Sequence, residues 1–228
     1  MNLRTVLFVL GILLSILGIA MLLPAIFQFY IEENSENFLI SSFITIFVGV
    51  LLILSNLYNE KRLNLREAFI LTTTSWAGIA LFGSLPFFFS DLEMSFSDSF
   101  FESMSGITTT GSTVIAELDI TPKGILMWRA LLQWLGGIGI IVMAITILPF
   151  LGVGGMQLFQ IQSASASEKI LPKTKEISFK IFYIYSSLTF FCFISYHLAG
   201  MNIFDSLAHS MTTIATGGFS THTESIGF

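Results

Sequence analysis

Apolar residues run along this chain in long blocks, with charges held at the block ends. Between Arg4 and Glu32 lie 27 uncharged residues, between Glu36 and Glu60 23, between Glu67 and Asp91 23, and between Lys180 and Asp205 24. A further run of 38, from Arg129 to Glu168, finishes in a stretch rich in Gly, Gln and Ser. A helix needs about 20 apolar residues to cross a hydrocarbon core. Five spanning helices are therefore expected, near 6–29, 38–57, 68–89, 125–149 and 180–201. Arg4 before an apolar block has the look of a signal peptide. The block is far longer than a signal h-region and no small-x-small cleavage site closes it, so it reads as a retained anchor.

Charge adds direction. Only 11% of residues are charged and mean hydropathy is +0.81, whereas soluble domains carry about a quarter charged residues. A soluble surface this poor in charge would expose large apolar patches, so the expected partner is a lipid bilayer. The single cysteine, Cys192, sits in an apolar run, which excludes a disulfide framework or thiol metal site. With five crossings, Arg4, then Lys61, Arg62 and Arg66, then Lys169, Lys173, Lys175 and Lys180 fall on one side. Eight of the ten Lys and Arg are there, and the positive-inside rule makes that side, with the N-terminus, cytoplasmic. The other side collects eleven acids, among them Glu33, Asp91, Glu102, Asp119 and Asp205, against Lys123 and Arg129. Those acids balance the inside bias, and they also offer an anionic vestibule that concentrates cations. Arg129, between Trp128 and Trp134, is expected to snorkel to the headgroups beside an aromatic belt, in preference to the alternative of an ion pair inside the protein.

One segment is too polar to span and too apolar for an ordinary loop. Residues 91–123 read DLEMSFSDSFFESMSGITTTGSTVIAELDITPK. An amphipathic pattern over 98–107, with Ser99 and Glu102 spaced as a capping box, predicts a helix of about 15 Å, half a bilayer. Thr108, Thr109, Thr110, Gly111, Ser112 and Thr113 have poor helix propensity and end it. A short helix dipping in from outside aims its partly negative C-terminus at the membrane centre, where a cation gains from it. A strand running back out can line a water-filled path, where irregular backbone is tolerated at membrane depth. Carbonyls that replace a potassium ion's water shell must all point one way, which demands backbone angles that glycine adopts cheaply. Gly111 is the candidate for that geometry, with Thr109, Thr110, Ser112 and Thr113 supplying neighbouring oxygens.

The segment occurs twice. A shift of 107 residues puts Asp98 and Ser99 on Asp205 and Ser206, and Ser103 and Met104 on Ser210 and Met211. The same shift puts Ile107 on Ile214, Thr109 on Thr216 and Gly111 on Gly218. In the second copy Thr216, Gly217, Gly218, Phe219 and Ser220 form the strand. Repetition at constant spacing points to a repeat architecture.

FFESMSGITTTGSTV over 100–114 resembles the first filter of the Trk/Ktr/HKT superfamily of potassium transporters. WRALLQWLGGIGIIVMAITILPFLGVGGMQLF over 128–159 resembles the helix and turn of its bacterial TrkH branch, and ATGGFS over 215–220 its second filter. The similarity covers essentially the whole chain, and two helices ahead of the first repeat fit TrkH better than KtrB. The resemblance implies an all-α integral membrane fold of four helix–pore loop–helix repeats around a pseudo-fourfold pore. It carries Gly111 and Gly218 over as the essential filter glycines. Serine at the first glycine accompanies sodium preference in plant relatives, so Gly111 favours potassium. Also implied are a homodimer of the complete protein, a cytosolic ring of TrkA-type nucleotide-binding subunits, and the bacterial inner (cytoplasmic) membrane as location.

The chain departs from that pattern in length. It carries about two of four repeats and stops at Phe228, before the second repeat's closing helix, so it reads as a fragment. The expected division is two N-terminal transmembrane helices over 1–66, a first helix–pore loop–helix repeat over 67–150, a cytosolic linker over 151–179, and an incomplete second repeat over 180–228.

The expected function is potassium transport through half of a carbonyl filter, with potassium as the transported ligand, no tightly bound cofactor and no nucleic-acid partner. A secondary cation transporter with broken helices is an alternative; its repeats are usually inverted, whereas both half-helices here enter from one side. A non-conducting membrane fragment is another. An enzyme is disfavoured: His197, His209 and His222 lack metal-ligand spacing, and Ser105-Gly106 lacks the strand–turn–helix of a nucleophile elbow. Gly136, Gly137 and Gly139, inside an apolar helix, fit close helix packing rather than a phosphate loop, and Gly152, Gly154 and Gly155 read as a turn.

Overall fold

The computed structural model describes residues 3–31, 33–57, 65–151, 170–225 and 227. Among them, regular structure is all helical. Five stretches are long and apolar enough to cross a membrane: Leu3–Tyr30, Glu36–Ser55, Arg66–Phe88, Lys123–Met143 and Glu176–Leu198. These are the five expected spans. Lys61, Arg62, Lys169 and most of the expected 151–179 linker, including Gly152, Gly154 and Gly155, lie outside the described residues.

The first span is two helices, α1 (Leu3–Ala20) and α2 (Leu22–Tyr30). The break at Met21 follows from Pro24, which has no N–H for the carbonyl of Ala20 and crowds it. α3 (Glu36–Ser55) packs along α1 through small residues. Ser42 Oγ donates to the Gly18 carbonyl at 2.7 Å, and the Gly11 backbone lies against that of Gly49, closer than a side chain would permit. The third span is broken by Pro86, where α4 (Leu65–Gly83) gives way at Ser84 to the short α5 (Leu85–Phe88). Then come the half-helix α6 (Phe96–Ile107), the long α7 (Lys123–Leu151) and α8 (Ile170–Leu198), and a second half-helix, α9 (Ile203–Ile214).

α7 is the hub. More than half of the residues in its apolar membrane-crossing stretch are buried, against about a tenth of those in α8. Ile125, Trp128, Leu131 and Leu132 of α7 pack with Leu14, Met21, Phe38, Phe87 and Ile107 in one core. Gly136 lets the α7 backbone press against the Ile107 carbonyl at the end of α6, where any side chain would overlap it. The expected aromatic belt is not what the tryptophans form. Trp128 is fully buried and donates Nε1 to the Gly83 carbonyl at 2.9 Å; Trp134 donates to Thr189 Oγ1 at 3.0 Å. An indole N–H within hydrocarbon needs a partner, and here protein supplies it. Outward, Phe29, Phe179, Tyr183 and Leu198 are largely exposed, as suits a surface solvated by lipid.

Candidate functional site

The two half-helices start alike. At α6, Ser95 Oγ accepts from the Asp98 N–H at 3.2 Å and donates to the Asp98 carboxylate at 2.7 Å. At α9, Asn202 Oδ1 accepts from the Asp205 N–H at 2.9 Å, and its amide donates to the Asp205 carboxylate. Ser95 and Asn202, like Asp98 and Asp205, are 107 residues apart. The capping box expected on Ser99 and Glu102 is therefore corrected. The helix begins a turn earlier, which puts both residues inside it on its buried face. That face is polar in both helices: Ser99, Glu102, Ser103 and Ser105 in α6 match Ser206, His209, Ser210 and Thr212 in α9.

They end alike too. The N–H of Thr109 bonds to the Gly106 carbonyl at 2.9 Å and that of Thr110 to the Ser105 carbonyl at 2.9 Å. In α9, Thr216 bonds to Thr213 at 3.0 Å and Gly217 to Thr212 at 2.9 Å. This is a Schellman cap, which requires a left-handed residue at its first non-helical position. Thr109 and Thr216 occupy it, each at φ 56°. A β-branched residue there costs about 1–3 kcal/mol, a strain that tends to mark functional backbone. Two residues on, Gly111 and Gly218 are left-handed as well, at φ 79° and 81°. The 107-residue spacing thus holds for backbone conformation as well as for residue type.

The loops after the caps lie side by side. A side-chain carbon on Gly111 would overlap the Gly217 carbonyl oxygen, so the two loops touch backbone to backbone. Thr110 and Ser112 are exposed, Thr109 and Gly111 half-buried. Thr110 Oγ1 pairs with Thr108 Oγ1 at 2.8 Å, and Ser105 Oγ donates to the Ser112 carbonyl. In the second loop Thr216 and Gly218 are exposed while Gly217 and Phe219 are buried, so alternate residues face a wall of protein.

Glu102 holds the first loop. It accepts from Thr113 Oγ1 at 2.9 and 3.1 Å and from the Val114 N–H at 3.0 Å. The same carboxylate takes Arg129 Nε at 2.7 Å, and both side chains are within 1% of full burial. Arg129 is thus not an interfacial residue that snorkels. Its Nη1 donates to the Ser220 carbonyl at 2.9 Å, and its guanidinium lies 4.2 Å from the Phe219 ring centroid. A buried guanidinium needs a countercharge and carbonyls, which the chain folds around it; removing one partner of such a pair costs about 3–5 kcal/mol. One turn on, Gln133 Oε1 accepts from the Phe219 N–H at 3.1 Å.

The second loop is held from the other side by Asp205, His209 and His222. Thr221 Oγ1 donates to Asp205 Oδ1 at 2.7 Å and pairs with His209 Nε2 at 3.2 Å. His222 bridges two carboxylates, Asp119 at 2.7 Å and Asp205 at 3.1 Å. Burial pulls the His222 imidazole down, but hydrogen bonds to Asp119 and Asp205 outweigh it and hold it above its ordinary value. Thr223 and His222 lower Asp119; at Asp205 burial is outweighed by the bonds from Thr221 and His222, which lower it as well. Asp119, Asp205, Thr221 and His222, with Glu33, Asp91 and Lys123, line a cavity of about 550 Å³ at one end of the bundle.

Residues 34–228 match the TrkH family, described as cation transport proteins. The chain belongs to this family. It is 42% identical over its full length to the Trk system potassium uptake protein TrkH of Halomonas elongata, and 38% to that of Escherichia coli K12. In each case it spans 48% of the relative, about half the length of these curated proteins. The crystal structure of the potassium transporter TrkH from Vibrio parahaemolyticus superposes with a TM-score of 0.89 at 40% identity, over all of this chain and 46% of that one. The chain therefore corresponds to the N-terminal part of full-length TrkH proteins.

Every residue expected in the filter lies in the two touching loops: Thr109, Thr110, Gly111, Ser112 and Thr113 in one, Thr216, Gly217, Gly218 and Phe219 in the other. Phe219 turns its ring inward under Arg129. Sequence reasoning missed the braces Glu102, Arg129, Gln133 and His222, whose partners are distant in the chain. One signal could have found the first two: an acid and a base placed within apolar helices are functional candidates by default.

Proposed function

We propose that this chain supplies half of a potassium-conducting path, with the loops over 109–113 and 216–219 forming part of a carbonyl-lined selectivity filter. The observation that carries the reading is the pair of left-handed glycines, Gly111 and Gly218, set 107 residues apart after identical helix caps. Left-handed glycines let successive carbonyls face one direction, the requirement for replacing an ion's water shell. Half-helix C-termini beside them add negative potential. The names of the TrkH relatives, all potassium transporters, favour potassium as the ion.

On this reading, residues 1–66 are two extra helices, 67–150 the first repeat, 151–179 a cytosolic linker, and 180–228 the start of a second repeat. The cavity end faces outward, its acids gathering cations, with the N-terminus cytoplasmic in a bacterial inner membrane. The complete protein is a homodimer on a TrkA-type nucleotide-binding ring. A ring of carbonyls needs four loops, so the 228-residue chain alone is expected not to rescue an uptake-deficient bacterium at low potassium, while a full-length protein carrying it does. Rescue by the chain alone would overturn the half-filter reading.

A further inference from the structure

The two loops are tied to one another by buried side chains that no backbone requirement explains. Starting at the first loop, Thr113 Oγ1 and the Val114 N–H both donate to Glu102. Glu102 accepts Arg129 Nε at 2.7 Å, and Arg129 Nη1 reaches the Ser220 carbonyl of the second loop at 2.9 Å. Gln133, one turn along α7, fixes the neighbouring Phe219 N–H at 3.1 Å. The Gln133 amide also sits where a side chain on Gly217 would be, and is 3.6 Å from the corresponding position on Gly111. Thus α7, which follows the first loop in the chain, holds the second loop.

We propose that Glu102, Arg129 and Gln133 are positioning residues that set the spacing between the two loops, and through it the discrimination between potassium and smaller cations. The inference rests on the filter reading above and extends it from backbone to side chains. Three features favour a spacing role over a general structural one. The arginine is the fork-shaped residue, able to hold a carboxylate and a carbonyl at once in a fixed plane. Both charges are buried, 0% and 1% exposed, where a mere stabilising pair is poorly repaid against well-packed apolar residues. All the remaining contacts of Glu102 and Arg129 in this cluster go to the loops, namely to Thr113, Val114, Phe219 and Ser220.

A lysine at 129 keeps the charge but gathers its three N–H donors on one nitrogen, without the planar fork of a guanidinium. One nitrogen cannot hold Glu102 and Ser220 at the spacing and in the plane that Nε and Nη1 fix, so the tie is loosened while the buried carboxylate stays neutralised. The test uses the full-length protein carrying this chain, reconstituted in vesicles, with potassium and sodium flux measured for Arg129→Lys, for Arg129→Met, for the double apolar variant Glu102→Leu/Arg129→Met, and for Gly111→Ala. Thermal unfolding of each is recorded in parallel. Arg129→Lys is expected to keep near-normal unfolding yet lose about tenfold in potassium-over-sodium discrimination, the size of one charge-assisted hydrogen bond. The double variant is expected to regain stability relative to Arg129→Met alone without regaining selectivity. Normal selectivity in Arg129→Lys and in the double variant, with Gly111→Ala impaired, would overturn the positioning role and leave the filter reading standing. Normal selectivity in Gly111→Ala as well would overturn both.

Discussion

The two half-helix units share a skeleton and differ in how it is held. Cap, helix length, Schellman turn and left-handed glycine recur residue for residue at a spacing of 107. At the position that braces the loop, however, α6 has Glu102 and α9 has His209. Glu102 is sealed in a buried ion pair with α7, while the second unit, held by α7 only through its backbone, adds Asp205, His209 and a half-exposed His222 near the open cavity. The lesson is that backbone geometry here is written locally, in caps and turns, and can be copied. Bracing is written in whatever neighbour each copy meets, and cannot.

The sharpest way to test that contrast is to neutralise each brace. Glu102→Gln leaves Arg129 buried without a countercharge and is expected to destabilise by about 3–5 kcal/mol. His209→Gln removes one neutral-type contact to Thr221 and is expected to cost about 1–2 kcal/mol. Unfolding of the purified chain in detergent measures both; equal losses would erase the distinction between the units.

Next in size are the glycines. Gly111→Ala adds overlap with the Gly217 carbonyl to the strain of φ 79°, whereas a side chain on Gly218 meets nothing within 4 Å among the described residues. Gly218→Ala should therefore carry the backbone strain alone, about 1–3 kcal/mol, and Gly111→Ala more. Comparing unfolding of the two variants checks the order. A Gly218 variant as damaging as Gly111 in the full-length protein, but not in this chain, would place a further loop against Gly218.

The smallest effect is in pH. The His222 imidazole is held above its ordinary value, so its contribution is complete at mildly acidic pH and is lost as pH rises through the raised value. Asp119 and Asp205 are depressed, so theirs is lost only as pH falls through those lowered values. Hydrogen exchange at Thr221 and Thr223, corrected for intrinsic rates, should accelerate as pH rises beyond the ordinary histidine value of about 6.5 and through the raised one, while that at Val114, outside this cluster, stays level. His222→Gln should abolish the difference.

The spans were legible because length and apolarity alone decide them, and the half-helices because they repeat. The capping box was misplaced because an S-x-x-acid pattern occurs twice in a row, at Ser95–Asp98 and Ser99–Glu102. The repeat contained the answer: 107 residues on, Asn202 and Asp205 can cap, whereas Ser206 and His209 cannot form that box. Arg129 was misread for a different reason. A cation one turn inside a helix, between two tryptophans, looks interfacial until its acid, 27 residues upstream, is seen folded against it. The strain at Thr109 and Thr216 had no signal at all, because glycine is the residue that position usually announces.

Where Gly111 meets the Gly217 carbonyl, the two loops behave like adjacent staves under a hoop. Neither can be spread or pinched singly; any outward shift of one is handed to the other as a push across van der Waals contact. In the proposed filter, girth would then be a shared property of the touching loops rather than a stiffness of each. A substitution at one stave is felt as a misfit at its neighbour, so tolerance to mutation should fall off from one loop to the loop it touches rather than along each loop alone.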